Sequence, residues 1–242
     1  MNRREFLISS ASAAAALSLF SAEAFAQQLN IAIATGGTGG VYYPLGGGMA
    51  NVLTKYVPGA AATARVTGGS VDNLKLIGSK QSEIALVMVD AAVDAMKGED
   101  KFKGSPVAVR TLMVLYPNRM HVVTVEGNGI EKMSDLKGKR VSTGSPGSAT
   151  EVMAFRVIEA AGLDKDKDMR RERLSVAEST NAIKDKKIDA YFWVGGLPTA
   201  AVTDPCAVMT MTGSSASRSR TARNTPMPSP FGRRRSDSTS AG

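Results

Sequence analysis

Cysteine and histidine are almost absent from this chain of 242 residues, which contains one of each. Cys206 alone cannot form an internal disulfide bridge, so the hydrophobic core has to stabilise the fold. The single His121 excludes a His-rich metal site and leaves little material for a Ser-His-Asp triad. It lies in the apolar run MHVVTV with no catalytic partner in view, and we interpret it as a structural residue of a strand. We therefore expect no catalytic residue, no metal and no cofactor.

The excess of positive charge is concentrated at one end of the chain. The formal net charge is +8, but residues 205–242 hold six arginines and one acidic residue, which leaves a mild excess on residues 27–204. A mild excess spread over a globular body is not the basic patch or stripe of a nucleic-acid-binding domain. We expect no nucleic-acid partner.

Long hydrophobic runs are missing after the N-terminus. Residues 1–26 have a basic start, an apolar middle and an A-x-A site, which is the pattern of a signal peptide cleaved after Ala26. The apolar stretch is broken by serines and is shorter than the roughly 20 residues that a membrane span requires. Arg3 and Arg4 resemble a twin-arginine signal, but Asn2 is unusual in front of such a pair, so ordinary unfolded export stays open. The sequence predicts an exported, periplasmic protein.

Residues 27–204 alternate short apolar runs with helical patterns. The strand candidates are 29–34, 63–66, 84–89, 110–116, 121–125, 139–143, 171–176 and 189–194. Helix candidates follow most of them, and Ser-x-x-Glu capping boxes begin two of these helices, at Ser148 and Ser175. Short apolar runs between helices predict an α/β fold with a parallel or mixed sheet and helices on both faces.

After Asp204 the composition changes abruptly. Residues 205–242 contain eight serines and six arginines but none of the chain's fourteen lysines, and the hydrophobic periodicity stops. Three interpretations are open: a natural disordered tail, a basic interaction tail, or an extension translated out of frame. We favour the third, because lysine gives way to arginine suddenly and the alternation of strands and helices breaks off in mid-pattern.

Three glycine-rich turns lead from a strand candidate into a helix candidate, at 35–41, 67–71 and 144–149. Such turns place unpaired amides and the positive end of a helix dipole at the carboxyl edge of a sheet, where α/β proteins bind ligands. A carboxylate or phosphate group is the kind of ligand that such a site binds. The chain lacks the P-loop motif and the last glycine of the dinucleotide fingerprint, which argues against nucleotides. In any one turn, the glycines could equally serve only to make a tight bend.

Aromatic residues make up 5% of the chain, and four of them lie beside glycines. Tyr42 and Tyr43 begin the first helix, and Phe192 and Trp193 end a strand. Tyr43 and Trp193 could wall a small ligand or pack in the core, whereas we prefer the core for Phe192. Asp90 follows an apolar strand, where it could accept a ligand ammonium or cap the next helix.

Five segments in this order resemble a TAXI-type solute receptor of the TRAP transporter class: TGGTGGVYYPLGGGMANVLTK, TGGSVDNLKLIGSKQSEIALVMVDA, LYPNRMHVV, MSDLKGKRVSTGSPGSATE and AIKDKKIDAYFWVGGLPTAAV. The resemblance covers residues 29–203 and implies a periplasmic-binding-protein type II-like fold, in which two α/β lobes close over a ligand in a cleft. It also implies a receptor without enzymatic activity, which delivers glutamate, a related amino acid or a small dicarboxylate to a TRAP permease in the membrane.

The resemblance divides the chain into a signal peptide (1–26), lobe I (27–116), lobe II (117–204) and the tail (205–242), with a hinge around Tyr116. Carried over by motif, it assigns ligand-binding roles to ten residues. Lobe I would supply Gly37, Thr38, Tyr43, Ser70, Asn73 and Asp90, and lobe II would supply Ser145, Gly147, Ser148 and Trp193.

A receptor of this family continues well beyond residue 204, so the resemblance also implies that this fold is C-terminally incomplete. An incomplete lobe would expose a sheet edge and apolar helix faces, which favours aggregation and poor binding. Two alternatives to a working receptor follow: a non-functional receptor fragment, and a periplasmic hydrolase with Ser145 or Ser148 as nucleophile. The oligomeric state cannot be read from the sequence, and a monomer is our expectation.

Overall fold

The computed structural model describes residues 28–203 and 208–212, which are organised by two sheets. The first sheet and its helices form lobe I. Its three parallel strands lie in the order β2-β1-β3, with β1 at Leu29–Ala34, β2 at Ala60–Arg65 and β3 at Ile84–Ala85. The helices of this lobe are α1 (Tyr42–Tyr56), α2 (Ser70–Gly78) and α3 (Val89–Lys97), followed by a 3₁₀ turn at Asp100–Phe102.

Lobe II is built on a mixed sheet of five strands in the order β6-β5-β7-β4-β8. The strands are β4 (Arg119–Val125), β5 (Arg140–Ser142), β6 (Arg170–Glu172), β7 (Ala190–Gly195) and β8 (Val208–Thr212). Strand β5 runs parallel to β6 and β7, whereas β4 runs antiparallel to β7 and β8. The helices are α4 (Ala149–Ala160), α5 (Val176–Lys184) and the short α6 (Ala200–Thr203), with a 3₁₀ turn at Met133–Leu136. The predicted alternation of strands and helices is therefore present in both lobes.

The two predicted capping boxes form to different extents. At the start of α5, Ser175 Oγ accepts from Glu178 N at 3.3 Å and the Glu178 carboxylate accepts from Ser175 N at 2.8 Å. At the start of α4, Ser148 Oγ accepts from Glu151 N at 3.1 Å, but the Glu151 carboxylate turns to Arg173, whose Nε lies 2.6 Å away. The second box is therefore only half formed, because the buried Glu151 carboxylate is used in an ion pair with the half-exposed Arg173.

Both faces of the lobe II sheet are buried. Successive residues of a strand point to opposite faces, and here Val122 and Phe192 pack on one side with Ile158 of α4. Val123 and Tyr191 pack on the other side against α5. Strands β4 and β7 are apolar at successive positions and do not alternate between apolar and polar residues. This pattern is expected for a sheet that is covered on both faces.

A third hydrophobic cluster joins the two lobes, and we call it the interlobe cluster. Its buried members are Val71, Leu74, Ala91, Ala95, Phe102 and Val107 of lobe I, and Ala149 and Val152 of α4 in lobe II. The lobes are thus in apolar contact behind the cleft, and α4 is the helix that makes this contact.

Four stretches differ from the sequence-based expectation. The strand expected at 84–89 ends at Ala85, and Val89 already begins α3. The strand expected at 171–176 ends at Glu172, and Val176 begins α5. Residues 110–116, which were expected to form a strand, form none, and the side chains of Leu112, Met113 and Val114 are 72%, 62% and 89% exposed. A strand needs a neighbour for its N–H and C=O groups, and no strand among residues 28–203 and 208–212 pairs with this segment. Residues 208–212 pair with β4, although the sequence analysis assigned them to a tail.

The signal peptide at 1–26, Cys206 and the rest of the tail lie outside the described residues. Within the described part, no helix combines the length and the apolar character needed to cross a bilayer.

The environment of His121 predicts that the stability of the fold depends on pH. Its side chain is 2% exposed, and neither ring nitrogen has a hydrogen-bond partner among the described residues. Burial, and then the charge of Arg119, lower the pKa of the imidazole. The unfolded chain therefore binds this proton more readily, and stability is lost as the pH falls through the ordinary pKa of about 6.5.

We expect the urea midpoint of unfolding to fall between about pH 7.5 and about pH 5, and the variant His121→Leu to show a smaller fall. His121 is the only histidine of the chain, so few other groups titrate in this window. Equal pH slopes for the two proteins would contradict the assignment of a buried, unpaired imidazole.

Candidate ligand-binding cleft between the lobes

Five helices begin at one cavity between the lobes. The first turns of α1 to α5 or the residues just before them line it, and these five are the helices of nine or more residues in the described part of the chain. The lining residues at these helix starts are Val41, Tyr42, Gly69, Ser70, Met88, Ser148, Ala149, Thr150, Ser175 and Val176. Because the first N–H groups of a helix have no acceptor within the helix, the cavity is surrounded by backbone donors and positive dipole ends.

No lysine, arginine, aspartate or glutamate lines the cavity. The attraction of the lining for an anion therefore rests on helix N-termini and polar groups rather than on charged side chains. Each N-terminus contributes about 0.3–1 kcal/mol toward an anion when exposed and up to about 2 kcal/mol when partly buried. Several N-termini have to act together to hold an anion at useful affinity.

The Ser148 hydroxyl at the start of α4 makes hydrogen bonds within lobe II. Ser148 Oγ donates to the carbonyl of Ser145 at 2.7 Å and accepts from Glu151 N at 3.1 Å. That hydroxyl is occupied by the helix cap, whereas the N–H groups of Ala149 and Thr150 have no acceptor within α4. Both residues line the cavity, so their amides are the donors of α4 that a guest can reach.

Glycine is required where the two lobes touch. A Cβ on Gly68 of lobe I would collide with the carbonyl oxygen of Pro146 in lobe II. A Cβ on Gly40 would lie 3.2 Å from the Trp193 ring, closer than most such contacts. The glycines of the first two turns therefore allow the lobes to approach, in addition to shaping the turns.

Two tyrosines close one end of the cavity. The rings of Tyr42 and Tyr116 are 6.4 Å apart, and Asn118 Nδ2 donates to Tyr42 Oη at 3.3 Å. Burial raises the pKa of the Tyr42 hydroxyl and also that of Tyr116. Both hydroxyls stay protonated at neutral pH. The Tyr116 Oη and the Asn118 Oδ1 are buried and have no partner among the described residues.

Trp193 forms the wall on the side of lobe II. Its Nε1 donates to Thr199 Oγ1 at 3.0 Å, and that hydroxyl donates to the Gly196 carbonyl at 2.7 Å. The hydrogen bond at Nε1 therefore fixes the orientation of the indole. The rest of the ring lies beside Gly40 and lines the cavity.

The structure brings five of the ten predicted ligand-binding residues to the cavity: Gly37, Ser70, Ser145, Ser148 and Trp193. The other five, Thr38, Tyr43, Asn73, Asp90 and Gly147, do not line it. Thr38 is exposed, and Tyr42 takes the position that was expected for Tyr43.

Asn73 is a structural residue of lobe I. It is fully buried, and its Nδ2 donates to the carbonyls of Thr35 and Leu86 at 2.6 and 2.7 Å. Its Oδ1 accepts from Thr67 Oγ1 at 2.6 Å. The side chain ties the first two glycine turns to the end of β3, and both of its donors and one of its two acceptor positions are in use.

Asp90 and Gly147 serve contacts between the lobes. Asp90 Oδ2 lies 3.7 Å from Arg156 Nη1 of α4. The carbonyl of Gly147 accepts from Val71 N and Asp72 N, both at 3.1 Å, at the start of α2. Motif spacing alone could not separate such positions from ligand positions, because both kinds lie in the same turns.

The sequence analysis did not foresee several lining residues. Tyr42, Tyr116, Thr150, Ser175 and Val176 contribute to the cavity without having been assigned to it. The sequence did indicate Ser175, because its capping box predicts a helix N-terminus at this position. The sequence analysis considered only the glycine turns as candidate ligand loops.

The cavity is small. Its volume is about 60 Å³, counted over positions that can hold the centre of a water-sized atom. This is several times the roughly 10–15 Å³ that a cavity needs on this measure to hold a single water. In the described residues, no group of three or more His, Cys, Asp or Glu side chains could hold a metal ion.

Residues 33–219 match the model of the NMT1-like family, which is more than half of the sequence. The chain belongs to the NMT1-like family. Membership rests on a continuous match that includes all three glycine turns and both lobes of the structure.

Solved structures with the same fold come from periplasmic-type binding proteins. A binding protein component of an ABC phosphonate transporter from Pseudomonas aeruginosa has a TM-score of 0.57 and 14% identity, over 77% of this chain and 66% of that one. The alkanesulfonate-binding protein SsuA from Xanthomonas axonopodis pv. citri, bound to MOPS, has a TM-score of 0.51 and 17% identity, over 76% and 61%. A structure from work on glutathione import via GshT and a cystine ABC importer of Streptococcus mutans has a TM-score of 0.52 and 12% identity, over 79% of each chain.

These similarities confirm the predicted fold class. The chain is an NMT1-like α/β protein with mixed sheets and the fold of periplasmic binding proteins. It spans 61% of the Xanthomonas protein and 66% of the Pseudomonas protein.

Asn73 gives a prediction that separates a structural role from a ligand role. The variant Asn73→Ala leaves two buried carbonyls unpaired, and we expect a loss of about 2–4 kcal/mol in the free energy of unfolding. Urea denaturation measures this loss. The matched control Asn181→Ala, at an exposed helix position, should change stability by less than about 0.5 kcal/mol. Native stability combined with weakened ligand binding in Asn73→Ala would instead place this residue in the ligand site.

Proposed function

We propose that this chain is an extracytoplasmic solute-binding protein that delivers a small carboxylate to a TRAP permease. The ligand is a glutamate-like amino acid or a dicarboxylate. The NMT1-like family match and the periplasmic-binding-protein fold support the receptor part of the proposal. The signal-peptide pattern of residues 1–26 supports export to the periplasm.

The observation that carries the proposal is the meeting of five helix N-termini at one cavity. Backbone N–H groups and dipole ends favour a negatively charged guest. The cavity holds no acidic side chain that would repel such a guest. Donors from α1 in lobe I face donors from α4 and α5 in lobe II, so an anion between them is bound by both lobes and favours their closure.

The aromatic walls favour a guest with a short apolar body. Tyr42, Tyr116, Phe192 and Trp193 surround the donors, and Met88 lies among them. Aliphatic carbons between a carboxylate and a second polar group would pack against these rings. A bare inorganic anion would leave that surface unused.

The choice of a TRAP permease rests on the five sequence segments that resemble TAXI-type receptors. The solved structures with the same fold come from ABC systems, but at 12–17% identity they support the fold and not the partner. Since the cavity donors are amides and hydroxyls without an arginine clamp, sulfonates and phosphonates are the competing anions.

A hydrolase is disfavoured by the surroundings of the two candidate nucleophiles. Ser148 Oγ is used as a helix cap, and Ser145 has no histidine, lysine, aspartate or glutamate beside it among the cavity-lining residues. A serine nucleophile needs a general base within hydrogen-bond reach.

Thermal unfolding of the purified chain tests the function. A ligand at one hundred times its dissociation constant stabilises the native state by about 2.7 kcal/mol, which raises Tm by about 5–10 °C for a protein of this size. We expect such a rise with L-glutamate or glutarate, and none with taurine or 2-aminoethylphosphonate. A rise with either of the last two alone would replace the carboxylate by a sulfonate or phosphonate as the ligand class.

The variant Gly40→Val and its control locate the binding. A valine at position 40 fills the space beside Trp193 and should abolish the rise, whereas Gly47→Val adds a side chain where nothing lies within 4 Å and should retain it. If both variants respond like the unaltered chain, the cavity is not the site. If none of the four anions shifts the Tm of the unaltered chain at millimolar concentration, the receptor proposal is wrong.

A further inference from the structure

Helix α4 is shared between the two lobes. Ala154 and Ile158, four residues apart and so on one face, are buried against the lobe II sheet. Ala149, Val152 and Arg156, at spacings of three and four, lie on another face, and this face meets lobe I. The helix that presents its N-terminus to the cavity therefore also carries contacts between the lobes.

Three kinds of contact follow one another along this face of α4. Just before the helix, the Gly147 carbonyl accepts two hydrogen bonds from the start of α2 in lobe I. In the first turn, Ala149 and Val152 enter the interlobe cluster. Seven residues after Ala149, and so about 10 Å further along the helix at a rise of about 1.5 Å per residue, Arg156 reaches the acidic side of lobe I.

Arg156 meets three carboxylates of lobe I. Its Nη2 lies 2.6 Å from Asp94 Oδ2 and 3.1 Å from Asp100 Oδ2, and its Nη1 lies 3.7 Å from Asp90 Oδ2. In the part of the chain that the structure describes, none of these aspartates has an ion pair with another lysine or arginine. When the lobes separate, three like charges are left facing one another without a counter-ion.

We propose that Arg156 is an ionic latch that holds the two lobes together in the absence of ligand. The hydrogen bonds of Gly147 and the interlobe cluster fix the N-terminal part of α4 against lobe I. Arg156 adds an ionic contact between the C-terminal half of the helix and lobe I. The Arg156 side chain is 42% exposed, so the latch is screened by salt and is weak enough to open.

The latch has a consequence for ligand affinity. A ligand that bridges the lobes binds only the closed form, so its apparent affinity is reduced by the fraction of molecules that are open. A charge network that raises the closed fraction raises the affinity without touching the ligand. Arg156 does not line the cavity, so any effect of its removal on binding acts through the lobes.

The test compares Arg156→Gln with Arg170→Gln, in the purified full chain without ligand. Both variants remove one positive charge from lobe II, but the exposed Arg170 side chain contacts no residue of lobe I by ion pair or hydrogen bond among the described residues. Small-angle X-ray scattering gives the radius of gyration. We expect Arg156→Gln to be more expanded than the unaltered chain at low salt, and Arg170→Gln to match it. The difference should disappear at about 1 M salt, where charges are screened within about 3 Å.

Far-UV circular dichroism shows whether Arg156→Gln is folded. The variant Arg156→Lys keeps a positive charge opposite the three aspartates, and we expect its radius to lie closer to that of the unaltered chain than the radius of Arg156→Gln does. If Arg156→Gln stays as compact as the unaltered chain at every salt concentration, or if Arg156→Lys is as expanded as Arg156→Gln at low salt, the latch is excluded. These measurements need no ligand, so their outcome is independent of the proposed carboxylate receptor.

If L-glutamate or glutarate shifts the Tm as proposed above, calorimetry adds a second readout. Arg156→Gln should then bind that compound about three- to tenfold more weakly, the range expected for a partly exposed charge network, while Arg170→Gln should keep the affinity. Unchanged affinity in Arg156→Gln, together with an expanded radius, would overturn the coupling between the latch and the ligand site.

Discussion

Unpaired backbone donors at helix N-termini are the constraint on which the cleft depends. A helix leaves its first N–H groups without acceptors, and burying them without partners costs free energy. Five helices bring such groups to a single cavity, so this cost is concentrated in one place. The structure satisfies some of these donors internally, as when the Gly147 carbonyl accepts from the first turn of α2. The donors that remain are the physical basis of the proposed anion binding, since no charged side chain lines the cavity.

The close approach of the lobes explains the glycine content better than turn geometry alone. Gly147 has a φ of +74°, and a side chain there would also collide with Asp72 across the interface. Gly68 is limited in the same way by Pro146, although its backbone angles are ordinary. Glycine is therefore demanded at these positions by the facing lobe, which no local sequence pattern records.

The parts of the structure that could be predicted from sequence are the local ones. Strand β1, the cap of α4 at Ser148 and the cap of α5 at Ser175 follow from apolar runs and Ser-x-x-Glu spacing, and the structure confirms them. The pairing of residues 208–212 and the exposed segment around Val114 depend on which strands find neighbours, so they were missed. Local patterns fix which residues are helical or extended, and tertiary pairing decides the rest.

The same limit applies to the site. The glycine turns correctly indicated where the lobes meet, but they could not show whether Asn73 faces a ligand or its own lobe. That depends on the carbonyls of Thr35 and Leu86, which are distant in sequence. Charged residues outside the cavity were also not predicted from sequence. Glu151 pairs with Arg173 within lobe II, and Arg156 pairs with lobe I. Both pairs hold α4, whose first turn faces the cavity, so a cleft without charged side chains still depends on charges that a ligand does not touch.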